Sequence, residues 1–174
     1  MRDGRIVQIS ISAGGVPKLG VPEALVGVLG LDGDRHRDAE HHGGPERAVC
    51  LFSMEQIDAL RHEGHPVAPG ALGENVTVEG LDWPLVVPGS RLALGETVVL
   101  EVSRYTSPCV NITPLFIDGD YSRVSQKRHP GSSRVYARVV TPGLIRQHDA
   151  VRLLAEGASS GRPETARTVA PTPA

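Results

Sequence analysis

The stretch Arg91-Leu92-Ala93-Leu94-Gly95-Glu96-Thr97-Val98-Val99-Leu100-Glu101-Val102-Ser103-Arg104-Tyr105-Thr106-Ser107-Pro108-Cys109 carries the pattern that decides the fold. Residues 91–94 and 97–102 are two short apolar runs across Gly95-Glu96, which reads as a β-hairpin. The second run ends near a proline and delivers Cys109 where a strand gives way to a short helix or turn. Backbone N–H groups at such a point favour the thiolate, the form that attacks and ligates. Residues 110–117 then form an apolar patch interrupted only by Asn111, Thr113 and Pro114.

Working outward, residues 5–12 alternate with period two and read as a strand after which 13–17 turn. Residues 24–31 read as a second strand, closed by Asp32-Gly33-Asp34, and 48–52 as a buried one. Ser53 with Gln56 three positions on predicts a helix start. Met54, Ile57, Leu60 and Arg61 follow at helical spacing, and Gly64 stops it. Further strands are expected over 73–80, 135–140 and 150–154, with turns at 86–89 and 141–143. Many short strands, one medium helix and polar loops predict a mainly β chain, a compact barrel with short peripheral helices. Residues 1–155 are expected to form one domain. Residues 156–174, rich in Gly, Ser, Pro, Thr, Ala and Arg without periodicity, are expected to be a disordered tail.

Composition removes several classes of function. The 174 residues carry 18 Lys and Arg against 20 Asp and Glu, a formal charge of −2, so the basic excess of a nucleic-acid binder is missing. Aromatics at 3% offer no stacking platform for single strands. No apolar run reaches the roughly 20 residues of a membrane span, and the N-terminus has no signal-peptide core. Two cysteines are too few for a disulfide framework, so free thiols in the cytoplasm are expected.

Residues 35–47 are almost devoid of apolar side chains and so predict a functional loop, His41-His42-Gly43-Gly44-Pro45-Glu46-Arg47 closing it. His42, beside two glycines and near Arg47, suits anion binding or acid–base work; His36 and His41 read as solvated neighbours. A zinc site from His36, His41, His42 and a cysteine fits no common spacing. Asp34 reads either as the group that orients a histidine in a Cys–His–Asp arrangement or as a turn former after Gly33. Arg47 suits a bidentate phosphate grip. Cys50, inside an apolar run, reads as a packed thiol. Lys127 and Arg128 read as solvating a loop or holding a phosphate.

The ordered motifs His42-Gly43-Gly44-Pro45-Glu46-Arg47-Ala48, Gly73-Glu74-Asn75, Ser107-Pro108-Cys109 and the closing Pro142-Gly143 strand pair resemble the MOSC family, the molybdenum-cofactor sulfurase C-terminal domains, here as a stand-alone bacterial-type chain over roughly residues 4–154. The resemblance implies a β-barrel that holds a molybdenum cofactor (molybdopterin), with Cys109 as metal ligand, and reduction of N-hydroxylated compounds. It implies catalytic roles for Cys109, His42 and Asp34, and cofactor contacts from Gly43, Gly44, Arg47, Glu74, Asn75 and Ser107. Pyridoxal phosphate is not expected. The implied partners are a small-molecule substrate and an electron-donor protein, or a sulfur-transfer partner if Cys109 instead carries a persulfide as a sulfur carrier. A module that binds the pterin without chemistry is a third reading. No nucleic-acid polymer or membrane is expected, and homodimerisation is left open. Three departures stand out: Thr106 where relatives often carry an arginine, no basic residue in Val110-Asn111-Ile112, and His148-Asp149 in place of Gly-Asp.

Overall fold

In the computed structural model, which describes residues 3–36 and 43–155, the quoted hairpin is one wall of a closed barrel. In chain order the strands are β1 (Gly4–Ile11), β2 (Leu19–Val21), β3 (Glu23–Gly27), β4 (Gly30–Leu31), β5 (Val49–Ser53), β6 (Val76–Glu79), β7 (Arg91–Leu94), β8 (Val98–Tyr105), β9 (Val135–Thr141), β10 (Gly143–Arg146) and β11 (Ala150–Leu154). Seven of them follow one another round the barrel as β11-β7-β8-β9-β5-β6-β1, and β1 closes it on β11 through Gly4 opposite Val151 and Arg5 opposite Ala150. All neighbours are antiparallel except β5 and β6. Parallel neighbours need a long crossover, and here the connection carries the helix α1 (Met54–His62). The Ser53 hydroxyl accepts the Gln56 N–H at 3.3 Å to start α1, and Ile57 and Leu60 bury its inner face.

The mainly β barrel expected from the sequence is therefore the observed one, filled by side chains such as Ile6, Ile9, Phe52, Leu92, Leu100 and Val135, each at most 1% exposed. Burying one such side chain contributes roughly 1.5–3 kcal/mol. Simple alternation fails in β1, where the register against β6 shifts between Ile6 and Gln8. This bulge turns Ile6 and Ile9 inward although they are three residues apart, and brings Ser10 in with them.

Two expectations of the sequence need correction, and one strand is added. Residues 24–31 are not one strand but the hairpin β3–β4, turning at the exposed pair Val28 and Leu29 between Gly27 and Gly30. Leu19–Val21, to which the sequence assigned no element, is a strand, and β2 extends the barrel wall; the strand expected at Pro142-Gly143 is β10, which joins β3 and β4 in a separate three-stranded sheet. The strand expected over 73–80 begins only at Val76. The expected tail beyond residue 155 lies outside the described residues. No helix of the chain is long and apolar enough to cross a membrane among the described residues.

Candidate functional site

Strand β8 runs to Tyr105, and the chain then leaves the barrel beside the start of β9, where the Thr106 N–H donates to the Arg134 carbonyl at 3.0 Å and the Ser133 hydroxyl to the Thr106 carbonyl at 3.2 Å. This tie sets the Ser107-Pro108-Cys109 corner at the barrel end. A 3-10 turn, Val110–Leu115, follows, held down by buried Ile112. Cys109 is half-buried, and its side opens onto a cavity of about 380 Å³, within the size of small-molecule sites. Ser107, Asn75 and Cys50 line the same space.

The polar floor is built from β1, the segment before β2 and the residues before β6. Lys18 is 7% exposed, and its Nζ lies 2.5 Å from Asp34 Oδ2; the Asp34 side chain is 2% exposed. Asp34 Oδ2 also accepts from Asn75 Nδ2 at 2.9 Å, and Oδ1 from the Ser12 N–H at 2.9 Å. Gly70 makes the approach of Lys18 feasible: its φ is +82°, its carbonyl accepts the Lys18 N–H, and a Cβ there would run into the Lys18 backbone. His36 lines the cavity with Nε2 3.8 Å from Asp34 Oδ2, and its ring lies against Gly43, where a Cβ would come within 2.9 Å. Burial, then the Lys18 charge, hold the His36 imidazole below its ordinary pKa, outweighing Asp34.

Arg35 and Arg134 add two further cations, and among the described residues no aspartate or glutamate is part of the lining. Tyr136 completes a wall; burial pushes its phenol up to about 12, so its hydroxyl keeps its proton at physiological pH. Cys50, 4% exposed, is raised to about 11 by burial, in keeping with a packed thiol even though it borders the cavity.

The expected site residues separate into groups. Cys109, Ser107, Asn75 and Asp34 come together at the cavity or its floor. The Asn75 amide is engaged within the protein: Nδ2 donates to Asp34 and to the Ser10 carbonyl at 3.2 Å, and Oδ1 accepts from the Cys50 N–H at 3.0 Å. Both ends are thus occupied within the protein. Glu74 is 0% exposed and is not part of the lining; its Oε1 accepts from the Gly70 N–H at 2.7 Å and the Thr77 hydroxyl at 3.1 Å. The structure places this residue, expected as a cofactor contact, behind the lining as a buried brace. Gly43, Gly44 and Arg47 are likewise absent from the lining and touch it through neighbours: Gly43 backs His36, and the Arg47 guanidinium sits 6.0 Å from the Tyr136 ring centre. Asp34 is locked to Lys18, and His36, expected to be a solvated neighbour, is a wall residue. His41 and His42 lie outside the described residues. Among the described residues no three His, Cys, Asp or Glu side chains converge as a metal cluster.

Lys18, Arg35, Arg134 and Tyr136 escaped the sequence reading. Lys18 carries the one available signal, a lone lysine between a proline and an apolar segment. Arg134 resembles the end of a polar loop, and Tyr136 an ordinary strand residue.

The chain is 33% identical over 128 residues to the uncharacterized protein YflK of Bacillus subtilis, covering 73% of this chain and 57% of YflK. It is 31% identical over 128 residues to protein YiiM of Escherichia coli, covering 71% of this chain and 55% of YiiM. The chain thus spans little more than half the length of these two relatives. A protein named reductase from Gibberella moniliformis is 31% identical over 130 residues, 72% of this chain but only 22% of that protein. The crystal structure of a hypothetical protein superposes with a TM-score of 0.69 at 28% identity, covering 88% of this chain and 70% of that one. The sequence model of the MOSC domain matches residues 38–152, and the chain belongs to the MOSC domain family.

Proposed function

We propose that this chain is a MOSC-type oxidoreductase that holds a molybdenum–pterin cofactor with Cys109 as metal ligand and reduces N-hydroxylated compounds. The observation that carries the reading is the cavity itself: one half-buried thiol opens into a space lined by Arg35, Arg134 and Lys18, the last paired with Asp34 beneath it, and among the described residues no other carboxylate borders it. Those residues fit the group. A thiolate is a soft ligand suited to such a metal, and the cationic lining suits an anionic cofactor. When bound, the cofactor would supply the two-electron chemistry.

Reduction of an N–OH group to N–H takes two electrons and two protons and releases water. The chain's own residues can manage the protons. Asp34 is committed to Lys18, Asn75 and Ser12, so it serves as an orienting acceptor. His36 is the described imidazole on the wall; neutral at physiological pH, it can pass a proton at Nε2. Tyr136 remains a hydrogen-bond donor. Cys50 stays protonated and inert. The reductase named among the relatives supports the same class of reaction.

The test is anaerobic reduction of a hydroxylaminopurine or an amidoxime with a chemical electron donor, following amine formation. The reading expects turnover by the wild-type chain and none by Cys109→Ser. Cyanide-releasable sulfur on Cys109 with no turnover under any donor would favour the sulfur carrier instead.

A further inference from the structure

Of the three cations on the cavity wall, Arg35 is exposed to water and Lys18 is neutralised by Asp34. Arg134 is different. It is only 7% exposed and lines the cavity, yet among the described residues no carboxylate lies within 4 Å of its guanidinium. Its Nη1 donates to the Leu72 carbonyl, while its buried Nε has no partner. Glu74 is close enough to feel the Arg134 charge but does not pair with it: Oε1 serves Gly70 and Thr77, and Oε2 has no partner. Burial also pushes the Glu74 carboxyl up, which weakens it as a counter-ion. Beside Arg134, the buried Thr106 hydroxyl is unpartnered too, although its own N–H donates to the Arg134 carbonyl. A guanidinium cannot shed its proton. A buried charge without a counter-ion is strongly unfavourable, and because Arg134 lines the cavity, an oxyanion held there can supply the counter-charge through charge-assisted hydrogen bonds.

We propose that Arg134 anchors an oxyanion of the phosphate class inside the cavity, and that this contact, rather than the Gly43-Gly44-Arg47 turn, fixes the anionic end of the ligand. This deepens the proposed function and rests on its premise that the cavity receives an anionic ligand. Arg134 is a positioning residue: it holds the ligand against the Cys109 corner, to which β9 is tied through Thr106 and Ser133.

The test uses the full chain from cells grown without added molybdate, with inorganic phosphate as probe and chloride at matched ionic strength as control. Phosphate should raise the thermal midpoint of the wild type in a saturable way. In Arg134→Met the response should weaken at least about ten-fold in apparent Kd, while the phosphate-free midpoint stays at or above that of the wild type. Arg134→Lys keeps the charge without the guanidinium and should bind with intermediate strength. A purely structural arginine would instead lower the phosphate-free midpoint of Arg134→Met and leave its phosphate response intact, which overturns the proposal, as does a response abolished by Arg47→Gln alone. Should Arg134 variants fold poorly, wild-type protein treated with phenylglyoxal decides: phosphate should protect Arg134 in the peptide mass spectrum, and unprotected modification refutes the site.

Molybdenum and pterin content separates this result from the proposed function. A phosphate response through Arg134 in a chain that never carries molybdenum keeps the site and removes the reductase reading. Full cofactor loading of Arg134→Met together with an unchanged phosphate response removes the site and keeps the reductase. Loss of pterin in Arg134→Met assigns the oxyanion to the cofactor, and retained pterin with a lost phosphate response assigns it to a substrate group.

Discussion

Removing the carboxylate of Asp34 strands Lys18 in the floor of the cavity, and the consequence can be worked out from the contacts. Asp34→Ala deletes the 2.5 Å ion pair and leaves the Ser12 N–H and one Asn75 amide hydrogen without their acceptor. Breaking a buried pair by removing one partner costs about 3–5 kcal/mol. The deficit of Asp34→Ala should therefore be about 3–5 kcal/mol. For a chain of this size that is a fall in Tm of about 6–20 °C. Urea unfolding reads it out, with the Lys18→Met/Asp34→Ala pair closing a double-mutant cycle: the coupling should recover most of the single-mutant loss. A deficit below about 1 kcal/mol, or additive losses in the cycle, would refute the buried pair as the floor of the site.

Further outcomes follow from the same geometry. His36 is held below its ordinary 6.5 when folded, so its contribution is complete above pH 6.5 and lost as pH falls below that value. Wild-type stability should decline there, and His36→Gln should lessen the decline in pH-resolved melts. Glu74 is raised above 4.5 when folded, so its contribution is complete below pH 4.5 and is lost as pH rises through the folded value. Glu74→Gln should thus show a flatter stability profile than wild type as pH rises above 4.5. Residue-resolved alkylation at pH 8 should label Cys109 far faster than Cys50, whose thiolate fraction is about one in a thousand; equal rates would contradict its burial.

The barrel was legible because its signals are local. Alternation over 97–102, the Gly95 turn and the Ser53 cap are each set by neighbouring residues, and the strands and helix formed where these signals stand. The misses arise where the deciding partner is remote. Leu19–Val21 is a strand because β1 offers it an edge. Cys109 was legible from its corner after Ser107 and Pro108. The cations were not, because a lysine at 18, an aspartate at 34 and an asparagine at 75 meet only once the barrel closes. Glu74 and Asn75, expected as cofactor contacts, stand behind and on the cavity wall, where their hydrogen bonds hold the floor together.

The most direct test of the account is the molybdenum and pterin content of the purified chain, by elemental analysis and oxidised-pterin fluorescence, from molybdate-supplied cells. With Cys109 as metal ligand in a cationic cavity, the wild type should carry about one molybdenum and one pterin per chain, and Cys109→Ser should lose the metal while Cys50→Ala keeps it. A wild-type chain with neither, or a Cys109→Ser chain loaded like the wild type, would contradict it.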